Sequence, residues 1–582
     1  MENKRFELKL WHLLYVLIFI VAAFLRFSKI GVFPLIDQEA QHALTAASGT
    51  PYGSAFFQAE NHAAPLTAYE MLTRFVFQLF GASELTARFI PALAGTLLVL
   101  TPLLARRRIG ITIAMFMSGI ITLSPIFVTS SRTAGSASLA ALGLSTFVMA
   151  ILGASRETDD KNLYIAPAGL GLMLASGGFG LSAMLVLFDG LVLWRLAGRL
   201  WGSDVGRISF GRWPSLREKL WIAIVVAIVL LTLLGWSFSG LSGFFESIST
   251  WLSGWVQSSE TSWMTVFAVF VIYEPALLLI GLLGIWWAIR ERDQVGVGAI
   301  SLAIAGFFFI LLYRGRHPQD LQWLALPLTY LSSQYIVEFV QRLRGLPNRR
   351  WIGAMAAIVI ILAIFAFLQM QSYTGNTSDT ETQNELRLAM LTIGMILVLV
   401  VLFGMGWDWT TARYSLLVAF GTLAILISIS SIWRLNFNES VFTAQEMWRR
   451  KVTTQGLQVM VKSLITTSQS STGTSYELPL QVEGSTPFSI AWALREYPSF
   501  QYETGSVEGA SPIVIAKGDA NELALNDEYV GQTIVIAEEW GWSSPLPPEF
   551  FIWLFNRNPP IEQDTWLILA RDDIAFFGEL DF

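Results

Sequence analysis

The sequence predicts a polytopic α-helical membrane protein of about 13 spans, followed by an extracytoplasmic α/β domain. Three observations predict it. Apolar windows long enough to cross a bilayer recur through the first three quarters of the chain. Charged residues make up only 14% of the 582 residues, against roughly 25% in a soluble domain. Clusters of Lys and Arg fall almost entirely on alternate connecting segments, which is how cytoplasmic loops are marked.

A span needs about 20 mostly apolar residues. Stretches that approach or meet this length lie at 10–26, 87–105, 110–128, 135–154, 163–177, 179–196, 219–238, 263–289, 296–313, 320–340, 351–370, 387–406 and 413–433. The fifth and sixth are short and could form one unit broken around "ASGGFG" (175–180). The first follows a basic "MENKRFELK" but is long for a signal-peptide core. "RFSKIG" stands where a small-x-small cleavage site would be, so an uncleaved first span is expected.

With the N-terminus cytoplasmic, the inside segments carry Lys4, Arg5 and Lys9, then Arg106–Arg108, "SRETDDKN", the basic 195–219 loop, "RERD" and "QRLRGLPNRR". The outside segments 239–262 and 371–386 carry almost none. An odd number of spans then places the C-terminus outside. The expected division is a transmembrane region, 1–434, and an extracytoplasmic domain, 435–582.

Two outside segments are large. Residues 27–86 are too polar to span, and "APLTAYEMLTRFVFQLFG" has the spacing of a helix at the interface. The tail opens with "TAQEMWRRKVTTQGLQVMVKSLI", expected to be helical, and 467–475 is expected to be a Ser/Thr-rich linker. Strand-like "YELPLQV", "FQYET", "SPIVIAKG", "QTIVIAEEWGW" and "WLILARDD" then alternate with helix-like "FSIAWALREY", the pattern of a compact α/β domain.

The net charge of −6 and pI of about 5.5 give no basic signature for nucleic acid. There is no cysteine, which removes disulfides, thiolate nucleophiles and Cys-based metal sites. No DxD or His-rich set points to a metal, and no cofactor is expected. The first outside segment concentrates the residues that could do chemistry: Asp37, Glu39, His42 and His62. Carboxylates beside a membrane are costly and often functional. Glu274, within a span, belongs to the same class. Glu70/Arg74 and Glu84/Arg88 have i,i+4 spacing and are expected to be pairs on helix surfaces.

"PLIDQEAQHALTAA" (34–47), "HAAPL" (62–66) and "LFGASELTARFIPALAG" (79–95) resemble the GT-C glycosyltransferases. These include protein O-mannosyltransferases and aminoarabinose transferases. The resemblance is closer to the flippase-activity-associated family of archaeal-type N-glycosylation. "LSPIFVTSSR" (123–132), "YEPALLLIGLLG" (273–284), "LPL" (326–328), "WALREYP" (492–498) and "PIVIA" (512–516) extend it over most of the chain.

The resemblance implies transfer of a sugar from a polyprenyl-phosphate donor to an acceptor hydroxyl at the outer face of a prokaryotic plasma membrane. Membrane lipid and the polyprenyl-phosphate sugar would be the partners. A carboxylate of the first loop would be the base, with Asp37 the candidate and Glu39 beside it. His42, His62 and Glu274 would contact donor or acceptor. Arg132, with the outside cluster Arg314, Arg316 and His317, would meet the phosphate, a task suited to the guanidinium fork.

The chain departs from the family pattern at charged positions. Aligned on "EAQH", the family's Asp falls on Gln38. "TAGSASLAA" after Arg132 lacks an expected acid, and Ser176-Gly177-Gly178 replaces a Thr-Lys-Gly. The alternative these departures motivate is a non-catalytic scaffold, or a membrane-protein partner in a lipid-linked sugar export or glycosylation system.

Overall fold

The computed structural model describes residues 10–48, 65–154, 161–200, 213–259, 261–373, 380–406, 408–483, 486–497, 500–503, 511–517 and 528–574. Among them, seven helices are long and apolar enough to cross a membrane: Leu10–Phe27, Glu84–Ile109, Gly177–Arg199, Gln294–Leu312, Arg349–Ser372, Thr382–Gly406 and Trp409–Asn436. Two helix pairs pass the same test together but are bent, Ile111–Leu123 with Pro125–Ser131 by 60° and Trp263–Tyr273 with Pro275–Glu291 by 92°, which raises the count to nine. The other four expected spans coincide with Ala137–Gly153, Asn162–Ala175, Trp221–Thr232 and Leu321–Gly345. These are helical without meeting the test alone.

Both bends have a proline at the first position after the break, Pro125 and Pro275. Proline is favoured at that position, where its missing N–H costs no helical hydrogen bond. The two bends are tied together by one carboxylate. Glu274, buried, accepts a hydrogen bond from the Ser124 hydroxyl and another from the Ile126 backbone N–H at 3.0 Å. It therefore satisfies an orphan donor at the start of the Pro125–Ser131 helix. The sequence placed Glu274 among the substrate contacts; both of these bonds go to the protein.

The tail folds on a six-stranded mixed sheet in the order β1-β5-β6-β4-β2-β3. The strands are β1 Lys451–Thr453, β2 Leu480–Glu483, β3 Phe500–Glu503, β4 Ile513–Lys517, β5 Tyr529–Trp540 and β6 Ile561–Arg571. β2 pairs in parallel with both β3 and β4, and the remaining pairings are antiparallel. In β4, Ile513 and Ile515 enter one core with Leu480, Val482 and Ile568, while Val514 and Ala516 enter another with Leu567 and Leu569. A strand buried on both faces reads as an unbroken apolar run, which is why "IVIA" does not alternate.

Two expectations for the tail are corrected. Residues 443–465 are not one helix: "KVT" is β1, and the helix begins only at Gly456. Nor is 467–475 a linker. That helix runs on to Thr472 and ends at Gly473 in the left-handed conformation. Ser and Thr along it return their hydroxyls to the preceding turn, for example Thr472 Oγ1 to Ser468 O at 2.7 Å, so they stay helical despite weak propensity.

The tail is seated on the spans and on the first outside segment. Leu435, Met447, Trp448, Trp540 and Trp553 join the main transmembrane core. Glu446, buried, accepts from Tyr273 Oη at 2.6 Å and pairs with Arg434 at 3.2 Å and Arg557 at 3.4 Å. One carboxylate thus joins the last span, a bent span and the tail.

Candidate functional site

Among the described residues, the stretch 27–86 carries the helices Asp37–Ala47 and Ala68–Phe80. The shorter one decides the site, because its residues point in different directions. At 100° per residue, Asp37 lies about 200° around the helix from Glu39, while His42 lies about 60° from it.

Glu39 faces inward and is 2% exposed. Its carboxylate takes Arg88 Nε at 2.9 Å and Arg88 Nη2 at 2.5 Å. It also accepts the Ala134 N–H at 2.8 Å and the Ile36 N–H at 3.2 Å. Arg88 spends its other donors on the carbonyls of Ile30, Phe33 and Pro34 at 3.1, 2.7 and 3.0 Å. All five guanidinium hydrogens and all four favoured carboxylate positions are therefore occupied. Burial alone would raise the Glu39 carboxyl. The charge and hydrogen bonds of Arg88, then the charge of Arg449, hold it below the usual carboxylate range.

Two expected surface pairs are corrected by this arrangement. Arg88 is buried on Glu39. Its expected partner Glu84 instead accepts Trp492 Nε1 at 3.0 Å, with Arg495 3.9 Å away. Arg74 donates to Ala46 O at 3.1 Å and Ser48 Oγ at 3.0 Å, while Glu70 is buried and turns to His42.

His42 Nδ1 lies 2.8 Å from Glu70 Oε1, and the imidazole stands edge-on to Tyr69 at 5.9 Å. The other Glu70 oxygen takes the Thr67 N–H at 2.7 Å and the Thr67 hydroxyl at 2.5 Å. With Glu70 ionised, a carboxylate only accepts, so the hydrogen is assigned to Nδ1 and Nε2 carries a lone pair. Nε2 has no hydrogen bond among the described residues. The His42 side chain is 25% exposed.

Asp37 faces the tail. Its Oδ1 accepts the Ser489 N–H at 3.0 Å and the Ser489 hydroxyl at 3.4 Å. Around it Leu35, Leu44 and Phe77 pack with Trp492, and Arg495 donates to Ala82 O at 3.1 Å while lying over the Trp492 ring at 4.3 Å. "WALREY" is thus the segment that docks the tail on the first outside segment. Gln38 is exposed. His62 lies outside the described residues.

Arg132 ends the Pro125–Ser131 helix. Its Nη1 donates to Leu25 O at 3.0 Å, Arg26 O at 3.3 Å and Ser28 O at 2.7 Å, its Nη2 to Asn436 O at 3.2 Å, and it lies 4.6 Å from the Phe437 ring centre. It holds the ends of three helices together. Arg316 gives Nε to Ile310 O at 2.9 Å and Nη2 to Leu311 O at 3.3 Å, the exposed carbonyls that end a helix. Arg314 Nη1 reaches Val256 O at 3.3 Å at the surface. The His317 imidazole lies near Phe179 at 6.1 Å. Burial pulls it below the ordinary imidazole value.

The break in "ASGGFG" closes the same region. Gly177 has φ +62°, and a Cβ there would stand 2.5 Å from the Thr67 side chain. Only glycine fits at this position without strain. The Thr-Lys-Gly lysine of the resembled family cannot be restored here unless the backbone shifts. Arg449, which sequence reasoning passed over, lines a pocket with Arg88 and Arg132; its only signal was the basic "WRRK" on the charge-poor side.

No protein-family profile matches the chain, and no curated protein matches it. Solved structures do. ArnT from Cupriavidus metallidurans bound to undecaprenyl phosphate aligns at 15% identity with a TM-score of 0.53, covering 98% of this chain and 99% of that one. Its apo state aligns at 16% identity with the same score and coverage. The oligosaccharyltransferase AglB from Archaeoglobus fulgidus, in complex with an inhibitory peptide and a dolichol-phosphate, aligns at 14% identity with a TM-score of 0.42, over 87% of this chain and 69% of that one. At these identities the likeness to ArnT is one of fold, and it extends through the tail as well as the spans.

Proposed function

We propose that the protein transfers a sugar from a polyprenyl-phosphate donor to an acceptor hydroxyl at the outer face of a prokaryotic plasma membrane, with its N-terminus cytoplasmic. The observation that carries this is the His42–Glu70 pair. A general base must present a free lone pair in a fixed orientation, and His42 Nε2 does so because Glu70 holds the opposite nitrogen. His42 takes the acceptor proton. The acceptor oxygen bonds to the anomeric carbon, and the bond from that carbon to the phosphate oxygen breaks. The electron pair leaves with the polyprenyl phosphate, whose charge is met by Arg314 and Arg316. Asp37, the base expected from sequence, instead supports the docked tail, and Glu39 positions the segment.

The test is transfer by the reconstituted full chain from polyprenyl-phosphate sugars. His42→Gln abolishing product while leaving the protein folded supports the assignment; full activity of His42→Gln would overturn it.

One observation favours a non-catalytic role. Glu39 is saturated by protein donors, Asp37 faces the tail, and Gln38 stands where the family has its Asp. On this alternative the protein is a scaffold or a partner in a lipid-linked sugar system. It makes no product from any donor, and pull-downs from membranes return one partner protein in fixed proportion.

A further inference from the structure

Where the first outside segment, the last span and the tail meet, a small pocket is lined by Ile30, Pro34, Arg88, Arg132, Asn436 and Arg449, among others. Its volume is about 20 Å³, the scale of a small polar group. Its charge is unbalanced. Three guanidinium groups line it, and Glu39 is the carboxylate that they act on. Glu39 is already bound twice by Arg88.

Arg449 has no side-chain hydrogen bond or ion pair among the described residues. Arg132 is buried and Arg449 half-buried, and a charge withdrawn from water is ordinarily paired. Burial, with repulsion from Arg88 and Arg449, pulls Arg132 down to about 9, and burial pulls Arg449 down to about 10 against the opposing charge of Glu39.

The position indicates the source of the anion. The pocket lies beside the ends of Leu10–Phe27 and Trp409–Asn436, with Ile30 and Asn436 in its lining. These two spans are mostly turned outward, with 17% and 33% of their apolar windows buried. A lipid lying along them would carry its phosphate to this level. We propose that Arg132 and Arg449 bind the phosphate of an anionic membrane phospholipid, which fastens the tail to the first outside segment. The bond is electrostatic and bidentate in character, as guanidinium–phosphate contacts are. It does not depend on sugar transfer, because the His42–Glu70 pair is not part of the pocket lining.

The experiment uses the full chain, delipidated in detergent, with thermal unfolding read against added lipid. Phosphatidylglycerol should raise the unfolding temperature and diacylglycerol should not. Arg449→Gln should weaken the apparent affinity for phosphatidylglycerol tenfold or more, and Arg449→Lys, which keeps the charge but not the fork, should fall between. Should Arg449→Gln fail to fold, Arg449→Lys decides alone. His42→Gln should bind as wild type, so loss of transfer and loss of lipid are separable. Competition by inorganic phosphate would support the shared phosphate chemistry. Equal shifts from both lipids, or an Arg449 variant with unchanged affinity, would overturn the proposal. So would stabilisation by inorganic phosphate but by no lipid, or by undecaprenyl phosphate alone, which would make the pocket part of the donor site.

Discussion

Arg88 and Glu39, 49 residues apart, form a two-pronged ion pair at 2.9 and 2.5 Å in which no donor of the arginine is left over. The pair joins the Glu84–Leu98 helix to the first outside segment and, through the Ala134 N–H, to the turn after Arg132. Removing one partner of such a pair costs about 3–5 kcal/mol, because the other remains buried and charged. Arg88→Ala should therefore lower the unfolding temperature in detergent sharply. Arg88→Lys should recover only part of it, since an ammonium cannot span the same fork. Wild-type unfolding of Arg88→Ala would remove the pair from the account of the fold.

The same pair predicts an acid limb. The folded Glu39 carboxyl is depressed below its ordinary 4.5, so the unfolded chain binds more protons, and stability rises with pH. Glu39 contributes fully above about 4.5 and loses its contribution as pH falls through the depressed folded value. Unfolding temperature followed from pH 6 to 3.5 should decline more steeply in wild type than in Glu39→Gln, which starts lower but lacks this titration. Parallel curves would contradict it.

These two effects also mark where sequence reading succeeds and fails. Apolar length is a local property, so every expected span falls on a helix or bent pair. Five of the six tail strands were legible for the same reason, and β1, only three residues long, was read as helix. Glu84 and Arg88 were misread as partners because i,i+4 spacing says that two side chains can meet, not that the surface they share is exposed. Arg88 turns inward, and its partner comes from another helix. Asp37 and Glu39 look equivalent in sequence, yet a rotation of about 200° sends one to the tail and the other to the core. Arg449 could not be linked to Arg132 without the fold, since 317 residues separate them by number.

Gly177 offers a test of whether the lost lysine was free to go. Its positive φ and the 2.5 Å approach to Thr67 make any side chain strained there, by about 1–3 kcal/mol for the backbone alone. Gly177→Lys should lower stability and should not raise activity. Gly177→Ala should show most of the same loss. A stable, more active Gly177→Lys would mean that the break reshapes readily.

Docking of the tail should depend on Trp492 far more than on Asp37. Trp492 is 2% exposed and packs on Phe77 at 5.8 Å, and truncating a buried Trp costs about 3–5 kcal/mol. Asp37→Asn retains an acceptor oxygen for the Ser489 N–H, so its cost should be under about 1 kcal/mol. Limited proteolysis should cut Trp492→Ala within the tail faster than wild type and leave Asp37→Asn nearly unchanged. The reverse order would place the docking energy in the hydrogen bond.

Transfer assays should separate the same residues in the opposite sense. A positioned base is worth about 10²–10⁴ in rate. His42→Gln removes the Nε2 lone pair and should fall within that range. Glu70→Gln keeps the shape but offers an amide that no longer selects the Nδ1–H tautomer, so it should fall less. The double variant should be no worse than His42→Gln, because Glu70 acts only through His42. Asp37→Asn should turn over near the wild-type rate. If Asp37→Asn is dead and His42→Gln is active, the proton goes to the carboxylate, and the carboxylate must swing away from Ser489 when substrate binds. If all four proteins are inactive while folded, the scaffold role gains, and the partner recovered with the protein becomes the place to look for chemistry.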